Sequence, residues 1–230
     1  MKIALFDIDG TLVWTQGAGK RAMERALVAI VGNAGPEGHR YDGKTDRQIV
    51  REAMLLTGHE ASRVESLMEA VIARYLIELE PELAGADPEA FVLPGVHAVL
   101  DAVHEQEDII LGLLTGNVVS GAVRKLKAAG IDADRFVVGA YGSDHESRPE
   151  LPPIARARAE AALGRPVNGA DCVIIGDTPM DVACGRPMGA RAIAVATGHY
   201  DVAALTACAP DAVFADLTDT AAVLEAIRVA

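Results

Sequence analysis

Cysteine is scarce: Cys172, Cys184 and Cys208 are the only three, with no CxxC spacing and no matching histidine cluster. That count excludes a disulfide-built scaffold or a zinc module, so reduced and mostly buried thiols are expected. Aromatic residues are few as well, with one Trp, four Tyr and four Phe, too few for a broad base-stacking surface. Positive charge is in deficit, because 21 Lys and Arg face 33 Asp and Glu for a formal charge of −12. Nucleic-acid and anionic-membrane binders carry a basic footprint, so neither partner is expected, and an anionic ligand must be met by local cations or a metal. Long apolar runs are missing too. The longest uncharged stretch, Ile109–Val123, contains Thr115, Asn117 and Ser120 and is too short and polar to span a bilayer. The first apolar run, Ile3–Phe6, is followed by Asp7 and Asp9, unlike the core of a secretory signal, so a cytoplasmic protein is expected.

What is present is apolar surface in short pieces. Of 230 residues, 50% are hydrophobic and 23% charged, enough for one substantial core plus an insertion. Apolar runs bounded by Asp or Gly alternate with helical patterns. This predicts an α/β fold, a Rossmann-like parallel sheet with helices on both faces. Strands are expected at Ile3–Phe6, Ile109–Leu114, Phe136–Val138, Val173–Ile175, Ala192–Ala196 and Ala212–Phe214. Between them, Val96, Val99, Leu100 and Val103 make one helical stripe. Val118 to Gly130, Pro152 to Leu163 and Thr218 to Ile227 mark three further helices. The rhythm breaks between residues 14 and 92, where no convincing strand occurs. Helices are expected there at Ala18–Val31, Asp46–Leu56 and Ser62–Leu79, with a Gly-rich loop Gly32–Lys44 and a polar connector Pro81–Pro94. The expected division is a core of 1–13 and 93–230 and a helical insertion of 14–92.

Three strand ends carry chemistry. Leu5-Phe6-Asp7-Ile8-Asp9-Gly10-Thr11 runs an apolar strand into two carboxylates, at the edge of a parallel sheet where ligands bind. An Asp-Gly turn accounts for Asp9-Gly10 but leaves Asp7 unexplained. Val173-Ile174-Ile175-Gly176-Asp177-Thr178-Pro179-Met180-Asp181 repeats the pattern, although Asp177 and Asp181 also suit a helix start. Carboxylates gathered in one place repel unless a cation neutralises them, and a hard divalent ion such as Mg2+ takes oxygen ligands. Thr115-Gly116-Asn117 ends a third strand and offers a hydroxyl and backbone N–H groups to an anion, though the triplet is also good turn chemistry.

Together these motifs resemble the haloacid dehalogenase-like superfamily of phosphohydrolases, in particular its phosphoglycolate-phosphatase-like branch. Asp7-Ile8-Asp9-Gly10-Thr11 looks like the family's first motif, Thr115-Gly116-Asn117 its second and Gly176-Asp177-Thr178-Pro179-Met180-Asp181 its fourth. The resemblance implies that the insertion is a helical cap, that Asp7 is the nucleophile and that Asp9 is the general acid/base. It further implies Mg2+ held by Asp7, the backbone carbonyl of Asp9 and Asp177, with Asp181 close by. Thr115 and the N–H of Gly116 or Asn117 would bind the phosphoryl oxygens of a small phosphorylated metabolite. Asp at position 9 disfavours a dehalogenase, since displacing halide needs no proton donor.

The family's third motif is a Lys or Arg, and no Lys stands between the third and fourth expected strands. Arg148, Arg156, Arg158 and Arg165 are available there. Arg148 is chosen because Glu146-Ser147-Arg148-Pro149 falls in the loop before a helix start. Pro187 is expected to shorten or kink the helix after Asp181. In the insertion, Gly43-Lys44-Thr45-Asp46-Arg47 places Lys44 and Arg47 to meet the distal group of a substrate, or else simply caps a helix with both cations in solvent. Trp14 lines the entrance or packs between the two units. The six histidines show no ligand spacing. A phosphosugar mutase of the same superfamily and a phospho-accepting regulatory module are the alternative functions.

Overall fold

The computed structural model describes residues 1–85 and 90–229; residues 86–89, within the expected Pro81–Pro94 connector, and residue 230 lie outside the described residues. The central strand β1 (Lys2–Phe6) has Ile3, Ala4, Leu5 and Phe6 fully buried, as expected of a strand covered on both faces. Leu12 leads into a two-residue strand, β2 (Val13–Trp14), and then three helices follow: α1 (Ala18–Val31), α2 (Asp46–Leu56) and α3 (Ala61–Leu83). After β3 (Phe91–Val92) the chain alternates regularly. It runs through α4 (Val96–His104), β4 (Ile109–Thr115), α5 (Val119–Ala128), β5 (Val138–Tyr141), α6 (Leu151–Leu163), β6 (Cys172–Gly176) and α7 (Pro179–Cys184). It closes with β7 (Arg191–Val195), α8 (Val202–Ala207), β8 (Ala212–Phe214) and α9 (Thr220–Val229).

Six strands pair in parallel in the order β5-β4-β1-β6-β7-β8. The chain leaves β1 toward β4 on one side and returns to β6 on the other, so the carboxyl ends of β1, β4 and β6 flank the switch point where α/β sheets bind ligands. Period-two alternation divides the core between the two faces of β1. Ala4 and Phe6 pack with Val99, Leu100 and Ile227, whereas Ile3 and Leu5 pack with Leu151, Ala155 and Ile174. The helices α1–α3 bury a separate apolar cluster that includes Met23, Leu27, Val50, Met54, Met68 and Leu79. Among the described residues no helix is long and apolar enough to cross a membrane. All three cysteines are free, Cys172 and Cys184 buried and Cys208 partly so.

Several elements depart from the sequence expectation. The third sheet strand is Val138–Tyr141 rather than Phe136–Val138, because Ala133–Arg135 forms a 3-10 turn whose Ala133 carbonyl accepts from Phe136 N–H. Helix α3 runs past Pro81 to Leu83. A proline in the last turn forfeits only one hydrogen bond, and beside it Glu82 takes ion pairs from Arg21 and Arg25 of α1. The interval read as strand-free holds β2 and β3, an antiparallel pair that joins its two ends. The short helix α8 was not expected. Beyond α7 the Arg186–Met188 segment becomes a 3-10 turn with Pro187 at its start, consistent with proline shortening that helix.

Leu5→Ala is expected to lower unfolding free energy by about 2–5 kcal/mol in urea titrations. Leu56→Ala, at a residue 66% exposed, should change it by less than about 0.5 kcal/mol. Equal effects would contradict this placement of the core.

Candidate active site

The strand geometry of β1 stops at Phe6, and the next seven residues fold into a tight turn. The Ile8 carbonyl accepts from the N–H groups of Thr11, Leu12 and Val13. Asp7 and Asp9 therefore part company. Asp7 is buried, its N–H held by the Ile175 carbonyl at 2.9 Å and its Oδ1 accepting from Ile8 N–H at 2.8 Å. Gly10 adopts φ +79°, and a Cβ there would lie 2.4 Å from Asp177 Oδ2. Only glycine lets this backbone turn while the second strand's carboxylate presses against it.

Asp7, Asp177 and Asp181 bring one oxygen each within 4.8 Å of one another, all three residues buried. Asp181 sits in the first turn of α7, where it forms a reciprocal cap with Thr178. Arg148, 1% exposed, donates to Asp7 Oδ2 at 2.9 Å and also to Asp181 Oδ1. Its position follows from local sequence: Pro149 starts the 3-10 turn Arg148–Glu150 that leads into α6. Burial opposes the guanidinium charge, but Asp181 and Asp7 outweigh it and hold the arginine firmly protonated. Of the other arginines in this interval, Arg158 pairs with Asp144 instead.

One arginine does not balance three carboxylates. Burial raises Asp7 from its ordinary 3.8 to about 6 against the pull of Arg148, with Asp181 and Asp9 adding to the rise. Asp177 is likewise pushed well above its ordinary value, by burial and then by Asp181 and Asp7, while Thr11 Oγ1 donates to it at 3.2 Å. A surplus of buried negative charge on an oxygen-only donor set fits a hard divalent cation. Asp7, Asp177 and Asp181 are the carboxylates placed to hold it, Asp181 being also engaged by Arg148 and Thr178.

Asp9 lines the same cavity, which has a volume of about 570 Å³, within the range of small-ligand pockets. Its Oδ2 accepts from Asn117 Nδ2 at 2.7 Å, and both its oxygens accept from Lys125 Nζ at 2.8 and 2.7 Å. Thr115 is buried, and its Oγ1 accepts from Asn117 Nδ2 at 2.8 Å, which leaves its hydroxyl proton available. Asp7, Asp9, Thr115, Gly116, Asn117, Arg148 and Asp177 all line the cavity.

The helical unit forms the other side. The Gly116 carbonyl accepts from Asp46 N–H at 2.8 Å, and a Cβ on Gly116 would be 2.1 Å from the Lys44 carbonyl oxygen. Lys44 lines the cavity, but its ammonium is taken up by Glu52 and His39. Of the two placements open to Arg47 in the sequence, beside a substrate's distal group or in solvent next to a helix cap, the geometry favours the second: it is not among the residues lining the cavity and pairs with Glu69 of α3 at 2.6 Å. Trp14 and His199 meet edge to face at the cavity wall, ring centres 5.2 Å apart.

Sequence reasoning missed Lys125 and Asp46. Lys125 is 4% exposed; burial works against its charge, but Asp9, Tyr75 and Asp46 outweigh that and raise its pKa. Asp46 is 7% exposed, and burial raises it from 3.8 to about 6 while Lys125 and Val118 N–H oppose the rise. A carboxyl with a higher pKa folded than unfolded binds its proton more tightly when folded, so stability is lost as pH rises through that interval. Asp46→Asn should therefore gain on the parent between pH 4 and pH 7, on the order of 2–3 kcal/mol in urea titrations. Parallel pH profiles for the two proteins would contradict the buried assignment.

Compared with known proteins, residues 4–186 match the haloacid dehalogenase-like hydrolase family. The chain is 29% identical over 227 residues to phosphoglycolate phosphatase of Rhodospirillum rubrum, covering 95% of this chain and 90% of that protein. A hydrolase from Pseudomonas syringae has the same fold, with a TM-score of 0.75 at 22% identity over 98% of each chain. So does β-phosphoglucomutase from Clostridium difficile, at 0.71 and 17% identity, over 100% of this chain and 98% of that one. The family match runs from β1 through α7 and takes in every carboxylate of the cluster: the chain belongs to the haloacid dehalogenase-like hydrolases, on a branch that resembles phosphoglycolate phosphatases.

Proposed function

We propose that this protein is a Mg2+-dependent phosphatase that hydrolyses a small phosphate monoester through a phosphoryl-aspartate. The observation that carries the reading is the convergence of a buried Asp7 paired to Arg148, a separately held Asp9 and the Thr115 hydroxyl on one cavity. In this reading residues 1–13 and 93–230 form the catalytic core and residues 14–92 the cap.

Asp7 attacks phosphorus as a carboxylate, forming an Asp7–phosphorus bond while the bond from phosphorus to the ester oxygen breaks. Asp9 gives its proton to the departing alkoxide. Asp9 then takes a proton from water as that water attacks the phosphoryl-aspartate and the bond from phosphorus to Asp7 breaks, releasing inorganic phosphate, freeing the Asp7 carboxylate and returning Asp9 to its protonated form. Arg148 keeps Asp7 aimed and offsets charge on the phosphoryl group. The Thr115 hydroxyl and the strand-end N–H groups of Gly116 and Asn117 orient the phosphoryl oxygens. Asp7, Asp177 and the Asp9 carbonyl, with Asp181 close by, would hold a Mg2+ ion, which would supply charge neutralisation at the phosphoryl oxygens. The cavity volume and the scarcity of aromatic residues favour a small metabolite, and the Rhodospirillum rubrum relative supports 2-phosphoglycolate as the first ester to try.

Hydrolysis of 4-nitrophenyl phosphate and 2-phosphoglycolate is expected with Mg2+, lost with chelator, and lowered by at least about 10³-fold in Asp7→Asn. Free phosphate should appear in step with the alcohol. Undiminished turnover in Asp7→Asn would refute the nucleophile, and transfer of phosphate within a sugar without its release would favour a mutase.

A further inference from the structure

Lys125 Nζ donates to Asp9 Oδ1 at 2.8 Å, Asp9 Oδ2 at 2.7 Å and Asn117 Oδ1 at 2.7 Å, as many acceptors as an ammonium has N–H groups. Asn117 closes the ring by donating to Asp9 Oδ2 and to Thr115 Oγ1. The Asp9 carboxylate is thus oriented by two side chains, although its own side chain is 40% exposed, whereas that of Lys125 is 5% exposed. An ammonium is ordinarily a strongly hydrated, mobile charge. A buried one with every donor engaged is a fixed point.

The helical unit keeps water from that point. A Cβ on Gly19 of α1 would be 3.1 Å from Nζ. The Tyr75 hydroxyl of α3 lies beside the ammonium, its oxygen 3.8 Å from the same Gly19 Cβ position. Asp46, the first residue of α2, lines the same cavity as Lys125, where its charge acts on the ammonium, and anchors its own Oδ2 on Val118 N–H at 2.8 Å. Each of the three helices therefore brings one residue to a cation that grips Asp9.

We propose that Lys125 is a positioning residue that ties the orientation of Asp9 to the seating of α1–α3. With the helices seated, Tyr75 and Asp46 hold Lys125, and Lys125 holds Asp9 toward the cavity. With them lifted, water reaches the ammonium and the hold on Asp9 is lost. The inference rests on the phosphatase reading, in which Asp9 exchanges protons with the leaving group. It adds that proton delivery, more than phosphoryl binding, depends on Lys125. A nitrophenolate departs without protonation, whereas an alkoxide needs the proton.

The test compares kcat/KM, which reports the step in which the alcohol departs and not the later hydrolysis of the phosphoryl-aspartate that both esters share, on 2-phosphoglycolate and 4-nitrophenyl phosphate for the parent, Lys125→Met and Tyr75→Phe. Lys125→Met should lower kcat/KM about 10²-fold on the alkyl ester and no more than about threefold on the aryl ester. Tyr75→Phe should show a smaller loss with the same preference, and it serves where Lys125→Met does not fold. Equal losses on both esters would overturn the proposal. A crystal structure of Lys125→Met should show the Asp9 carboxylate turned out of its present orientation. An unmoved Asp9 would overturn the proposal independently of turnover, while a parent enzyme inert toward both esters would overturn the phosphatase reading instead.

Discussion

Three carboxylates and one guanidinium share a volume from which water has been removed, and much of the molecule is arranged around that imbalance. Asp7, Asp177 and Asp181 come from the ends of two neighbouring strands and the helix after one of them, and Arg148 reaches two of the three. Burying like charges together is unfavourable unless a partner of opposite sign is built in. Burial, with the neighbouring carboxylates, pushes Asp7 to about 6 and Asp177 well above its ordinary value despite the arginine. The cluster is accordingly short of positive charge, the condition under which a divalent cation and a phosphoryl group become mutually supportive ligands. A chain with a formal charge of −12 does not draw in a phosphate ester by its overall field. It needs this local arrangement.

A second charge network lines the same cavity and answers to different neighbours. Asp9 is held by Lys125 and Asn117, and Lys125 in turn meets residues of α1, α2 and α3. The two units are also tied close to Arg148, where Thr45 Oγ1 donates to the Glu146 carbonyl at 2.6 Å and Arg51 pairs with the Glu146 carboxylate. The helical unit thus touches both halves of the site: the segment carrying the buried arginine, and the lysine that holds Asp9. Its separate hydrophobic cluster gives it a body of its own, so its fit on the sheet is set by polar contacts at the cavity rim as well as by packing.

The parts of the site that could be read in the sequence are those encoded locally. A buried strand ending in Asp7, Thr115 or Asp177 is visible because apolar residues run directly into polar ones, and the parallel sheet places such ends together. Arg148 was identifiable from the proline-marked helix start beside it. Lys125 was not, because next to Leu126 and Lys127 it reads as a solvated charge. Its burial arises from α3, which approaches α5 from about fifty residues away and lays Tyr75 over Gly121, where a Cβ would be 3.7 Å from the tyrosine ring. A signal did exist. Val118, Gly121, Ala122, Lys125 and Leu126 fall on one face at helical spacing, and a lysine within a buried stripe is seldom incidental. Arg47 shows the converse: a cation in a loop that invites a ligand is engaged by Glu69 of α3, a partner that local sequence does not reveal. The shifted third strand and the helix continuing through Pro81 were decided by neighbouring turns and ion pairs that local propensity does not contain.

The central claim is that the Asp7–Asp177–Asp181 cluster is a cation site because its buried negative charge exceeds what Arg148 supplies. Calorimetric titration of Mg2+ into the substrate-free protein tests it most directly, with Asp177→Asn as the comparison. The account predicts saturable binding of Mg2+ by the parent and its loss in the variant. No binding to the parent, or equal binding to both, would contradict it.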